Sequence, residues 1–207
     1  MGGLFITIEG ADGAGKTTQI ELLQKLNNPQ FLLTRNPGGT KFGLKLREIL
    51  LNDKSVQVSE MAELFLYMAD RAQHIKDVIE PALKKNLIII CDRFADSTLA
   101  YQGYGRGLSL ELINDLNKIA TSNLEPDLTF YLDVSPEVGL ARAKEQNKME
   151  AEGLKFQQKV RNGFLELAKK NPERFITIDT SQNNINEVHQ IILSEIENAN
   201  KKINSLI

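Results

Sequence analysis

The stretch Gly10-Ala11-Asp12-Gly13-Ala14-Gly15-Lys16-Thr17 fits G-x-x-x-x-G-K-[ST], and its reading decides the fold. Ahead of it, Leu4-Phe5-Ile6-Thr7-Ile8 is a short β-prone run that suits a strand buried on both faces of a parallel sheet. Behind it the period becomes helical, with Ile20, Leu22, Leu23 and Leu26 placed on one face. Strand, glycine loop and helix N-terminus in that order make an anion cradle. The glycines let backbone N–H groups close round phosphate oxygens, and the helix macrodipole favours negative charge there. Gly10, Ala11, Asp12, Gly13, Ala14, Gly15, Lys16 and Thr17, with Thr18 next, are therefore the expected residues for binding nucleotide phosphates. Lys16 supplies an ammonium for the β and γ phosphates, and Thr17 a hydroxyl ligand for Mg²⁺.

Working outward, apolar β-prone runs recur at Phe31-Leu32-Leu33-Thr34, Leu87-Ile88-Ile89-Ile90-Cys91, Leu128-Thr129-Phe130-Tyr131-Leu132 and Phe175-Ile176-Thr177-Ile178. Helical stretches separate them. This alternation predicts a three-layer α/β P-loop NTPase fold, a five-stranded parallel sheet flanked by helices. At 207 residues the chain suits one domain, spanning 1–207, rather than two. The longest helix begins near Ser59 as N-cap and carries Met61, Leu64, Phe65, Met68, Ala72, Ile75 and Ile79 at spacings of three and four. Pro81 predicts a kink or break near Glu80. Ser135-Pro136-Glu137 starts a further helix, and a last one from Asn184 places Ile185, Val188, Ile192 and Ile196 on one face. The polar segment Lys144 to Gly153 interrupts the periodicity and reads either as a solvated helix connection or as a short lid.

Hydrophobic residues make up 42% and charged residues 25%, an ordinary globular balance. A formal charge of −2 gives no bulk drive toward nucleic acid or an acidic membrane, so neither is expected as a partner and any phosphate must be held by local clusters. The single cysteine, Cys91, has no internal partner and lies in an apolar run, which predicts a buried thiol. The N-terminal apolar run is five residues long without a basic flank, and no stretch approaches bilayer-spanning length; a cytoplasmic location is expected.

Asp92 follows the third apolar run, so its carboxylate emerges at the C-terminal edge of the sheet, where it can hold Mg²⁺ directly or through water. Arg93, beside it, offers a guanidinium to phosphate. Arg35 lies in Thr34-Arg35-Asn36-Pro37-Gly38-Gly39-Thr40 at the same edge, placed to clamp a second phosphate-bearing substrate. Tyr67 and Arg71 stand four apart and share a helical face, although periodicity alone favours Tyr67 as a core aromatic.

These residues carry a resemblance. Thr-Arg-x-Pro-Gly-Gly-Thr after the second strand, Ala69-Asp70-Arg71-Ala72-Gln73-His74 in the long helix, and Asp92-Arg93-Phe94 followed by Ser97-Thr98-Leu99-Ala100-Tyr101-Gln102-Gly103 together resemble the bacterial thymidylate kinases. The resemblance implies ATP and dTMP as substrates, Mg²⁺ with the ATP, dTDP and ADP as products, and a homodimer through helices flanking the sheet, with the long helix from Ser59 as a candidate. It implies dTMP contacts from Asp12, Arg35, Arg47, Tyr67, Arg71, Arg93, Ser97, Tyr101 and Gln102. Within that set, Asp12 approaches the sugar 3′-hydroxyl, Tyr67 stacks on thymine, Arg71, Ser97 and Gln102 meet the base, and Tyr101 crowds C2′. Arg93 bridges acceptor and donor phosphates. Related enzymes keep a catalytic cation either directly after the P-loop acid or in the lid. Gly13 holds the first position here, so the resemblance points to Arg142, Lys144 or Lys148, alongside Lys16, Arg93 and Asp12. Two departures stand out: the lid arginines are partly lysines, and Asn36 replaces the usual Glu.

Two other readings start from the same loop. A kinase for another nucleotide or a deoxynucleoside would share the P-loop and differ in the acceptor pocket. A P-loop nucleotide switch that reads guanine would be expected to carry Asn/Thr-Lys-x-Asp after a strand, and no such motif occurs.

Overall fold

The computed structural model describes residues 2–53, 55–142 and 152–204. Among them, five strands, β1 (Leu4–Glu9), β2 (Phe31–Arg35), β3 (Ile88–Asp92), β4 (Leu128–Asp133) and β5 (Phe175–Asp179), pair in the order β2-β3-β1-β4-β5, every pairing parallel. Each runs one residue past its expected apolar run and ends on a charge: Glu9, Arg35, Asp92, Asp133 and Asp179. Because the strands share a direction, the five charges fall along one edge of the sheet, with the P-loop strand at its centre.

Side chains alternate across the sheet, so one strand feeds two layers. Leu4, Ile6, Ile8, Ile90, Phe130 and Leu132 pack under α1 (Lys16–Lys25) and α9 (Ile185–Asn204). On the other face Phe5, Ile89 and Cys91 meet Ile75, Ile79 and Leu83, while Tyr131 meets Val160 and Phe164. Fully burying one such side chain stabilises the fold by roughly 1.5–3 kcal/mol. Cys91 is fully buried, and burial pushes its thiol pKa well up.

The inward faces of two helices need correction. In α1 the inward face is Lys16, Gln19 and Leu23, whereas Leu26 is 46% exposed. Gln19 earns that place by pairing: its Oε1 meets His189 Nδ1 at 3.0 Å, and its Nε2 donates to the Ile185 carbonyl at 3.0 Å. In α3 (Glu60–His74), Ser59 is the N-cap, as expected, and Leu64 and Met68 are buried, but Met61 and Phe65 face outward with Ala72. Glu63, Asp70, Arg71 and His74 are buried instead. Near Glu80, where a kink or break was expected, the α-helical winding is interrupted. Ile75–Ile79 widens into a π-turn, and Pro81 then lies in the first turn of α4 (Glu80–Lys84), where its missing N–H is tolerated.

The remaining helices are α2 (Lys41–Arg47), α5 (Ala95–Thr98), α6 (Leu110–Thr121), α7 (Pro136–Arg142) and α8 (Leu154–Lys170). Ser135 Oγ accepts Val138 N at 3.4 Å at the start of α7. Asn184 and Glu187 cap α9 reciprocally: Asn184 Oδ1 accepts the amides of Asn186 and Glu187, and Glu187 Oε2 accepts Asn184 N at 2.8 Å. Val188, Ile192 and Ile196 are buried against the sheet, but Ile185, the first residue of α9, is 57% exposed. Lys144, Lys148 and most of the suggested lid lie outside the described residues. No helix among those described is long and apolar enough to cross a membrane.

Candidate active site

The P-loop follows β1 directly. Gly10 has φ +148°, and a Cβ there would come within 2.5 Å of the Leu132 carbonyl oxygen. Gly15, at φ +95°, caps α1 in the left-handed region that glycine adopts most cheaply. Gly13, at φ +75°, lies so close to Gly139 of α7 that an added Cβ would overlap the Gly139 carbonyl. A Cβ on Gly139 would in turn stand 2.7 Å from the Asp12 carbonyl oxygen. P-loop and α7 therefore meet backbone to backbone. Lys16 is buried, its Nζ donating to the carbonyls of Gly10 (3.0 Å) and Ala11 (2.8 Å); burial and the neighbouring Arg93 bring its pKa down to about 8. Thr17 is exposed and Thr18 half-buried at the start of α1.

Arg93 crosses to the P-loop from β3. Its backbone N donates to the Ile8 carbonyl at 3.0 Å, and its φ of +64° is a left-handed conformation that costs a non-glycine residue roughly 1–2 kcal/mol. The guanidinium reaches the Gly10 carbonyl (2.7 Å) and Asp12 Oδ1 (2.5 Å), with its carbon 5.3 Å from the Tyr101 ring centre. Burial alone would raise the Asp12 pKa, but the charges of Arg93 and Lys16 hold it below the usual carboxylate range. Arg93 itself is held firmly protonated: Tyr101, Asp12 and Asp92 outweigh the cost of its burial.

The buried polar groups of α3 organise the opposite wall. Asp70 accepts Gly38 N at 3.0 Å and the Asn36 side-chain amide, and His74 Nε2 meets Thr34 Oγ1 at 2.7 Å. Burial raises the Asp70 pKa and pushes His74 down to about 4, so His74 is neutral. Arg71 is 1% exposed. Its Nη2 donates to Asn36 Oδ1 (3.0 Å), the Phe94 carbonyl (3.1 Å) and Thr98 Oγ1 (2.8 Å), and Nη1 to Asn117 Oδ1 (2.5 Å). Burial brings this guanidinium down to about 10, and its Nε has no hydrogen-bond partner among the described residues. These paired polar groups are why apolar periodicity misassigned the inward face of α3.

The floor is Ala95–Thr98 running straight into a π-turn over Leu99–Gly105, the winding that often marks functional positions. The Tyr101 ring is backed by Phe156 and Phe164 of α8, with centroids 6.2 and 6.3 Å away. Gln102 Nε2 donates to Glu63 Oε1 at 2.9 Å, and Arg106 forks onto the same carboxylate. Ser97 Oγ donates to Glu9 Oε2 at 2.5 Å and accepts Arg93 Nη1 at 3.4 Å.

One cavity collects these groups. Asp12, Arg47, Tyr67, Arg71, Arg93, Ser97, Tyr101 and Gln102, all expected from the sequence, line it together. Tyr67 is half-buried and faces that cavity, and burial raises its phenol pKa. Arg47 Nη1 donates to the Pro37 carbonyl at 2.9 Å, and burial and Arg35 lower its pKa. Arg35 itself lies outside the lining. As the exposed last residue of an edge strand, it borders an adjoining recess with Thr17, Asp92 and Arg47. Arg142 ends α7, exposed, with Nη1 3.3 Å from the Thr180 carbonyl. Asn36, singled out above as a departure from the motif, also lines the cavity, as do Pro37, Phe94 and Thr98, which sit inside the quoted motifs without a role assigned from the sequence. Leu51, in the π-turn after α2, gave no signal.

The chain is similar to known proteins over most of its length. The family model described as "Thymidylate kinase" matches residues 8–192. A thymidylate kinase of a Synechococcus species is 50% identical over 197 residues, covering 94% of both chains. That of Lactobacillus helveticus is 43% identical over 201 residues, 93% of this chain and 95% of its own. The crystal structure of thymidylate kinase from Ehrlichia chaffeensis superposes with a TM-score of 0.78 at 37% identity, covering 95% of this chain and all of that one. With its P-loop, its parallel five-stranded sheet and these relatives over nearly its whole length, the chain belongs to the thymidylate kinase family.

Proposed function

We propose that the chain transfers the γ-phosphoryl group of ATP to the 5′-phosphate of dTMP, giving dTDP and ADP. The observation that carries this reading is one cavity beside the P-loop lined by Asp12, Arg47 and Arg93 together with Tyr67, Arg71, Phe94, Thr98 and Gln102. The cations suit an acceptor phosphate; the aromatic and amide groups suit a base. Catalysis is by positioning and charge stabilisation. The backbone amides of residues 10–18 and Lys16 hold the donor phosphates, Arg93 spans donor and acceptor phosphates, and Arg47, with Arg35 from the adjoining recess, steadies the acceptor. Tyr67 stacks on thymine, Arg71, Ser97 and Gln102 border it, Asp12 takes the 3′-hydroxyl, and Tyr101 leaves no room for a ribose 2′-hydroxyl.

Thr17 and Asp92 share a recess, and Asp92 Oδ1 is a buried oxygen without a hydrogen-bond partner. No group of three acid, His or Cys side chains among the described residues forms a complete metal cage. Such a sparse oxygen set fits Mg²⁺, which keeps waters and substrate phosphates as its other ligands. When bound there, the ion would neutralise charge on the phosphates. A cytoplasmic homodimer completes the reading: Met61 and Phe65 of α3, and Leu112 and Ile119 of the adjoining α6, are exposed apolar side chains.

The test is ADP formation with Mg·ATP against dTMP, dUMP, dCMP, dGMP, ribothymidine monophosphate, thymidine and no acceptor. Strong turnover on dTMP with the ribose analogue much poorer is expected. Preference for another acceptor, or ATP loss without one, would overturn the assignment. The dimer is checked by light scattering, with Phe65→Glu expected to yield monomers.

A further inference from the structure

Glu9 is the one acidic residue of β1, and its side chain is fully buried at the junction with the P-loop. Both carboxylate oxygens are used. Oε1 accepts the backbone N of Phe94 at 2.7 Å, and Oε2 accepts the Ser97 hydroxyl at 2.5 Å. These two groups flank Arg93 in the structure: Phe94 N is the next amide along the chain, and Ser97 Oγ takes one of the guanidinium N–H groups. We propose that Glu9 is a positioning residue for the phosphate-clamping Arg93, fixing the turn that throws its guanidinium onto the P-loop. The inference rests on the reading of Arg93 given above.

Three observations converge on it. First, Arg93 holds a left-handed backbone conformation that a non-glycine residue keeps only when its surroundings enforce it. Glu9 supplies that enforcement on the C-terminal side, and the Ile8 carbonyl on the N-terminal side. Second, the hydrogen bonds run in one direction, from Arg93 to Ser97 to Glu9, so the acid orients the hydroxyl that meets the guanidinium. Third, the acid is kept despite its cost. Burial, with Asp96 nearby, pushes the Glu9 pKa up to about 7, against the lowering effect of Ser97, Arg93 and the Phe94 amide. Asp96 is itself held by the fork of Arg174 at 2.7 and 3.0 Å, which keeps a second buried carboxylate tolerable at that distance. An apolar residue at position 9 would remove this burden and would leave Phe94 N without its acceptor.

Glu9→Gln keeps the volume and removes acceptor capacity from one oxygen. The expected result is a fall in kcat of about 10–100-fold, the scale of a misplaced charge-stabilising group, with dTMP affinity weakened no further than in Arg93→Ala. In an Arg93→Ala background the same change should be silent in kcat, because both substitutions act through one guanidinium. A merely structural role would add its loss in both backgrounds. Ser97→Ala cuts only the side-chain leg and should lower kcat by less, in the same direction; it decides the matter if Glu9→Gln does not fold. Wild-type kcat in Glu9→Gln, additive losses with Arg93→Ala, or a Ser97→Ala defect confined to dTMP affinity would overturn the proposal. An inactive wild-type enzyme on dTMP would instead overturn the reading of the site.

Discussion

The P-loop and the cavity beside it are built differently. The P-loop is built of backbone, glycine and one buried lysine, whose ammonium is held by main-chain carbonyls. That cavity is walled by long side chains from α2, α3 and the Leu99–Gly105 turn, with a buried polar network behind them: Arg71 alone reaches Asn36, Phe94, Thr98 and Asn117. A site made of backbone separates chemistry from stability, whereas a site made of a buried polar network joins them.

That contrast can be broken by substitution. Lys16→Ala should lower kcat by about a thousandfold, as loss of a transition-state cation does, while leaving the denaturation midpoint nearly unchanged. Arg71→Ala should do the reverse in kind. By stranding Asn36 and Asn117 it should lower the unfolding free energy by about 3 kcal/mol in urea titration, and weaken dTMP binding as well. If Arg71→Ala were as stable as wild type, the network would be decoration rather than scaffold.

The histidine of the same wall gives a pH signature. His74 has a folded pKa of about 4, below its ordinary 6.5, so the folded state binds the proton less readily than the unfolded chain. Its contribution to stability is present above pH 6.5 and is lost as pH falls toward 4; between pH 7 and pH 5 the loss is about 2 kcal/mol. His74→Gln should flatten that part of the stability–pH curve, measured by urea unfolding at several pH values. The smallest effect belongs to the half-buried Tyr67. Its replacement by Ala should weaken dTMP binding about tenfold, at the lower end of what aromatic–base stacking is worth, with kcat and stability retained.

The same difference explains what was legible in the sequence. Backbone-built features announce themselves as glycines and apolar runs, so the P-loop, the five strands and the parallel α/β fold follow from pattern. The strand ends escaped by one residue because each terminates on a charge such as Glu9 or Asp133, which an apolar window excludes. The buried faces of α1 and α3 escaped because Gln19, Asp70, Arg71 and His74 are inside, and only partners distant in sequence make that tolerable. Family motifs brought most of the cavity together, yet Leu51 and Glu9 carry no local signature. Arg35, at the end of an exposed edge strand, lies one recess away from the cavity it was expected to line.

The contact between Gly13 and Gly139 constrains how this enzyme can evolve. An arginine at position 13 would meet a strained left-handed backbone and the Gly139 carbonyl of α7 at once, so it could be accepted only after α7 had shifted. Moving a cation into the P-loop is therefore not a single mutational step from this sequence. The two positions are epistatic, and the order in which they change decides whether the intermediate folds.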